Sequence, residues 1–304
     1  MAFALAAGSV QVALPTVWTA LFGNSADTAS AVVRELRWPR AMAAFAVGGL
    51  LAVAGALMQV LLRNPLADPY VLGLSGGAAC GALAAMLLGA AALVTPAAFG
   101  GALVSSALVF GLARGDGAWS PARLLLTGIV VAAGWGALIM LMLATAPEAQ
   151  VRGMLFWLIG DLSSSTHGGI ALITLVFVLL LALPLARDAT LLARGDVTAA
   201  SLGVPVRPLT IALHGLAALA TAIAVTVAGS VGFVGLVVPH AVRMVIGNDQ
   251  RWLLPASALA GGALLVLADT LARTVIAPAQ LPVGVLTALA GVPVFLWLLR
   301  RSSP

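Results

Sequence analysis

The amino-acid sequence predicts an all-α polytopic membrane protein, a single unit over residues 1–304 with about ten transmembrane helices. Three observations carry that expectation. First, 62% of the 304 residues are hydrophobic and 8% charged, and the mean hydropathy is +1.13. A soluble domain carries about 25% charged residues, and a globule of this size must leave part of its surface in water. A soluble enzyme and a nucleic-acid binder are therefore disfavoured. Second, the charges punctuate long apolar runs. The charge-free stretches are 1–26, 41–62, 69–113, 124–147, 162–186, 208–242, 252–268 and 274–299, and a helix needs about 20 apolar residues to cross the hydrocarbon core. Third, the runs are unbroken, whereas the strands of a transmembrane barrel alternate apolar and polar residues.

The elements follow in order. Stretch 69–113 has room for two helices, with a break expected near Thr95-Pro96. Stretch 208–242 holds one helix and the start of another, broken around Gly229–Gly235. The expected spans are roughly 3–22, 41–62, 71–90, 97–113, 124–145, 169–186, 209–228, 236–246, 255–275 and 283–299. Gln11 and Pro15 interrupt the first, and the eighth is short. Residues 1–26 lack the basic n-region of a signal peptide, so a partial first helix is expected there. Val53-Ala54-Gly55, ten residues before Pro65, is echoed by Val227-Ala228-Gly229, ten before Pro239. In the ten-span order these segments run oppositely, as in an inverted repeat. A chance echo in an Ala-, Val- and Gly-rich chain is the other reading.

All 15 cations are arginines and the net charge is +5. With the N-terminus inside, Arg63, Arg114, Arg123, Arg187, Arg194, Arg207, Arg243, Arg251, Arg300 and Arg301 fall on the inner side, which places both termini in the cytoplasm by the positive-inside rule. Arg34, Arg37, Arg40, Arg152 and Arg273 fall outside and need another reason. The chain has no lysine. An ordinary Walker A phosphate loop is thus ruled out, and any ATP is bound by another chain.

Several motifs stand out. Arg63-Asn64-Pro65-Leu66-Ala67-Asp68-Pro69-Tyr70 reads as a polar turn whose prolines stop one helix and restart the chain. Gly73, Gly77 and Gly81 share a helix face, a spacing that lets membrane helices approach closely. Gly73-Leu74-Ser75-Gly76 also resembles the nucleophile segment of intramembrane serine proteases, which would need His214 or His240 beside Ser75. His167, His214 and His240 lack metal-ligand spacing, and no metal site is expected. Cys80 reads as packing filler. Asp269 and Arg273 form a favourable i,i+4 pair. In the long inner segment 187–207, Asp196–Leu202 suit a short helix stopped by Gly203.

Taken together, the chain resembles the permease subunit of type II ABC importers, the family that moves ferric siderophores, haem and vitamin B12. The resemblance runs from about Val10 to Arg300. It rests on Glu35-Leu36-Arg37-Trp38-Pro39-Arg40, Arg63–Pro69 with Gly73–Gly77, Phe156-Trp157-Leu158-Ile159-Gly160, Ser201-Leu202-Gly203-Val204, Gly232–His240 and Leu281-Pro282-Val283-Gly284, in that order and spacing. The resemblance implies that Arg37, Arg40 and Arg273 receive acidic residues of a periplasmic binding protein. It implies that a coupling segment at about 191–204, including Leu191, Asp196, Ser201, Leu202 and Gly203, fits a groove on a separate ATPase, which holds ATP and magnesium. It also implies a channel between two permease copies with a cytoplasmic gate near Trp119, Ser120, Pro121 and Ala122. The chain itself would bind no cofactor, catalyse no reaction, touch no nucleic acid, and work in a bacterial inner membrane with a second copy of itself and two ATPase subunits. An ion-coupled secondary transporter is the alternative, with a protease built on Ser75 behind it. Family members usually carry a longer first helix before the segment matching Gly8-Ser9-Val10.

Overall fold

A computed structural model describes residues 1–8, 12–23, 27–114, 120–163, 168–277 and 279–301. The described residues form fourteen α-helices with short 3-10 and π segments. Among the described residues there is no strand.

The first expected span, 3–22, is not one helix. It is α1 (Ala2–Ala6) and α2 (Leu14–Phe22). The carbonyls at the end of α1 bond to arginines instead of continuing the ladder, and Pro15 sits in the first turn of α2, where its missing N–H costs nothing. A one-turn helix α3 (Thr28–Ala31) and a π segment (Val32–Arg37) then lead into α4 (Trp38–Leu61). Helices α5 (Leu74–Leu87) and α6 (Val94–Leu112) share stretch 69–113. Their break lies before Val94, a few residues earlier than expected, because Pro96 is tolerated within the first turn of α6. Next come α7 (Pro121–Thr145) and α8 (Glu148–Ile159), which no expected span covered. Helix α9 (Gly168–Leu192) bends by 69° between Ala182 and Ala186, where Pro184 removes a ladder bond. It leads to α10 (Asp196–Ser201) and α11 (Val206–Ala228). The expected break after Ala228 is present, with Gly229 and Phe233 both at left-handed φ, before α12 (Val234–Ile246), α13 (Gln250–Thr274) and α14 (Val283–Arg301). Among the described residues, five helices are long and apolar enough to cross a membrane, six with bent α9, while α5, α12 and α14 are shorter apolar helices.

Helix α4 is the hub. In its most apolar stretch 89% of residues are buried, against 11% for α7 at the periphery. It packs on α9, α11, α12 and α13 through small residues. A Cβ on Gly48 would collide with the Gly261 backbone on α13, and one on Gly55 with the Gly235 backbone on α12. Lipid tails are as apolar as leucine, so such helices associate by close van der Waals packing more than by escape from water. The two echo glycines differ locally: Gly55 is mid-helix, whereas Gly229 ends α11 at φ +67°.

The Gly73, Gly77 and Gly81 face meets α6. A side chain at Gly77 would strike Gly101 and Ser105, and one at Gly81 would strike Ala97. Gly73 adopts φ +67° as the N-cap of α5. The Ser105 hydroxyl donates to the Gly73 carbonyl at 2.8 Å and accepts the Trp135 indole N–H at 2.9 Å, which joins α5, α6 and α7.

Candidate functional site

Two polar clusters flank α4. Its 24 residues rise about 36 Å at 1.5 Å per residue, enough to put the clusters on opposite sides of a bilayer core.

The first cluster surrounds the N-terminus of α4. Asp269, 1% exposed on α13, accepts from Arg40 at 2.8–3.1 Å through Nε and Nη2, and lies 3.2 Å from Arg273 Nε. Arg40 also donates from Nη1 to Gln280 Oε1 at 2.8 Å. Arg37, 5% exposed, donates to the Leu5 and Ala6 carbonyls at 2.7 and 3.0 Å, and Arg273, 7% exposed, donates to the Ala4 carbonyl at 3.1 Å. The guanidiniums thus satisfy carbonyls at the C-terminus of α1, where the helix dipole favours cations. Gly8 packs beside them, where a Cβ would stand 2.7 Å from Arg37 Nη2 and displace the guanidinium. All three arginines line a cavity of about 610 Å³, together with Gly8, Thr16, Thr28 and Gln280. The three arginines that the resemblance assigns to docking lie together in one largely buried, internally bonded cluster, because each guanidinium finds a carboxylate or helix-end carbonyl within reach. Arg34 serves similarly. It bonds the Ala20 and Gly23 carbonyls and closes the end of α2. The guanidinium of Arg152 lies over the Phe156 ring, 5.7 Å from its centre, a cation–π contact on α8.

The second cluster surrounds the C-terminus of α4. Arg63 forms an ion pair with Asp196, the first residue of α10. Helix α10 stops one residue earlier than expected. The Gly203 N–H bonds the Ala200 carbonyl and the Val204 N–H bonds the Ala199 carbonyl, both at 3.0 Å, with Gly203 at φ +83°. That double bond pattern is the Schellman stop. Ala199 and Val204 are buried, whereas Val197 and Leu202 are 85% and 58% exposed. Ser201 is exposed and donates to the Thr198 carbonyl, and Leu191 packs against the core. Helix α10 is therefore a rigid stub with two bare apolar side chains.

Of the expected gate residues, Ser120, Pro121 and Ala122 lie at the start of α7. Ser120 is its N-cap, its hydroxyl accepting from the Arg123 N–H at 3.1 Å, and Pro121 occupies the first turn. Trp119 and His167 lie outside the described residues.

The protease reading fails on geometry. His214 on α11 is held by Ser106 of α6, with Nε2 and Oγ 3.0 Å apart, and stacks on Phe110. Neither ring nitrogen of His240 has a hydrogen-bond partner. Neither histidine is hydrogen-bonded to Ser75. Ion coupling also loses its main carboxylate, since Asp269 is locked between two arginines. Among the described residues no three His, Cys, Asp or Glu side chains gather as metal ligands.

The sequence reading missed Ser106, Gln280, Arg34 and the pairing of Arg63. Ser106 and Gln280 depend on partners 108 and 240 residues away in the chain, whereas Arg34 reaches back only 11 and 14 residues. Arg63 did leave a local sign, a helix end with arginine where glycine is usual.

Comparison with known proteins decides the lineage. The model of the FecCD transport family matches residues 1–301. The chain belongs to that family. It is a permease of the type II ABC importer kind, a multi-pass membrane protein and a transport subunit. It is 43% identical over 278 residues to the cobalamin import system permease protein BtuC of Halobacterium salinarum, covering 90% of this chain and 74% of that protein. It is 41% identical over 305 residues to the hemin transport system permease protein HmuU of Yersinia pestis, covering 97% and 90%. A solved structure described as an inward-facing conformation of a putative metal-chelate type ABC transporter superposes with a TM-score of 0.86 at 28% identity, over 99% of this chain and 94% of that one.

Proposed function

We propose that this FecCD-family permease moves a bulky metal chelate, a ferric siderophore or haem, or the corrinoid vitamin B12, inward across a bacterial inner membrane by alternating access. Two copies enclose the pathway, two separate ATPase subunits supply the work, and a periplasmic binding protein delivers the cargo. Both termini are cytoplasmic. Arg37, Arg40 and Arg273 line the outer cavity and favour an acidic partner there, steering it more than tightening it.

The observation that carries this reading is α10. A Schellman-stopped stub with Val197 and Leu202 bare to solvent suits insertion into a groove on a partner protein. A lone polar connector would have no reason to expose them. Co-expression with an ATPase and a binding protein from the same source, followed by reconstitution into liposomes, tests it. ATP-dependent uptake of cobalamin, haemin or ferrichrome is expected. Uptake of none of them by an assembled complex refutes the proposal.

A further inference from the structure

Helix α4 ends as α10 does. The Arg63 N–H bonds the Val60 carbonyl and the Asn64 N–H bonds the Gln59 carbonyl, both at 3.2 Å. This is the same Schellman arrangement, which places Arg63 at the left-handed position that Gly203 fills after α10. Arg63 has φ +48°, and Arg63 and Phe233 are the only non-glycine residues at positive φ among those described. A Cβ there is disfavoured, and the chain spends 33 glycines elsewhere. The side chain must offset a conformation that glycine would adopt freely.

Its partner is Asp196 at the start of α10. The turn that Arg63 opens is stiff, with the Leu66 N–H bonded to Asn64 Oδ1 at 2.9 Å and the Ala67 N–H to the Asn64 carbonyl at 3.1 Å. The far side of the turn borders the start of α7 across a gap of about 240 Å³, lined by Leu62, Asn64, Leu66 and Ala67 on one side and Pro121, Ala122 and Leu125 on the other. One α-helical turn further along α7 the gap closes, because a Cβ on Gly128 would collide with the Val71 carbonyl.

We infer that Arg63 is a positioning residue that fastens α10 to the α4–α5 turn, so that displacement of α10 passes through this turn to the start of α7. The tight contact at Gly128 acts as the pivot and the gap beside Pro121 as the space for movement. The inference rests on the proposed role of α10 as the ATPase contact.

Arg63→Gly is the decisive variant. Glycine relieves the backbone, so a purely structural role predicts unchanged or raised thermal stability and unchanged transport. A positioning role predicts stable, fully assembled complexes whose uptake per ATP hydrolysed falls by about fivefold or more, the range of ordinary coupling energies. The probe is whichever of cobalamin, haemin or ferrichrome the wild-type complex transports. Arg63→Asp and Asp196→Arg are each expected to lose coupling, and the double swap to recover most of it. Wild-type uptake per ATP in Arg63→Gly overturns the inference, as does a swap no better than either single change. A wild-type complex that transports none of them refutes the proposed function instead, which keeps the two failures distinct.

Discussion

Asp269 offers the sharpest quantitative test. Its carboxylate is 1% exposed and holds two guanidiniums, with four contacts of 2.8–3.2 Å to Arg40 and Arg273. Around it stand three buried or nearly buried arginines, so the cluster already carries two positive charges more than negative ones. Replacing Asp269 with Asn keeps the shape and removes the only anion of the network. Breaking a buried pair from one side costs about 3–5 kcal/mol, because the remaining charge stays desolvated and unpaired. The guanidiniums retain the Gln280 oxygen and the Ala4 carbonyl, so the lower end, about 3 kcal/mol, is expected. Unfolding of purified protein in detergent, followed by denaturant titration with intact wild type as reference, measures the loss. Asp269→Asn within about 1 kcal/mol of wild type, the scale of a solvated ion pair, would refute the argument that this carboxylate organises the cluster.

Other expectations follow from the same geometry. Gly77→Leu forces a side chain into Gly101 and Ser105 and should lower stability by about 1–3 kcal/mol, the usual cost of overpacking, read by the same denaturation assay. Ser106→Ala should cost about 1 kcal/mol by leaving His214 without its partner in the bundle, and an unchanged unfolding midpoint would contradict the 3.0 Å bond. Val197→Asp with Leu202→Asp, or a Gly/Ser linker in place of 196–203, should abolish co-purification of the ATPase while leaving the permease folded; normal ATP-driven uptake would contradict the coupling role. The Arg251 side chain bonded to Asp249 holds that carboxylate below its usual pKa. The pair therefore stabilises above the unfolded carboxylate value, and its contribution disappears as the pH falls through the lower folded value. Asp249→Asn should flatten that small acid-side dependence and leave stability at pH 7 to 8 nearly unchanged.

Much of the architecture was legible because charge is costly in hydrocarbon. Gaps between arginines and carboxylates, divided at Thr95-Pro96 and around Gly229–Gly235, located nine of the ten expected spans on single helices. The short helix at Asp196 was legible for a different reason, since Gly203 signals a left-handed stop whatever surrounds it. Helix α8 escaped because Glu148 and Arg152 make it look like a loop, and its boundaries are set by Pro147 and the positive φ of Gly160. The first span, interrupted at Gln11 and Pro15, divides into two short helices whose end carbonyls are taken by Arg37 and Arg273 for α1 and by Arg34 for α2. Arg37, Arg40 and Arg273 were grouped through the family resemblance, and they do lie together. Their burial was not legible, as it depends on carbonyls of residues 4–6 and on Asp269, hundreds of residues from Arg40 in the chain. Ser106 and His214, 108 residues apart, are hidden for the same reason.

The glycine contacts along α4 have a mechanical consequence. Gly48 abuts Gly261 and Gly55 abuts Gly235, backbone to backbone, with no flexible side chain between them to act as a cushion. Sliding α4 by even one residue would drive a neighbouring Cβ into a carbonyl oxygen. The helix is thus an axle without axial play. It can tilt or turn together with α12 and α13 but cannot piston past them. A force applied at its Arg63 end would therefore reach the arginine cluster at its other end as rotation of a stiff rod.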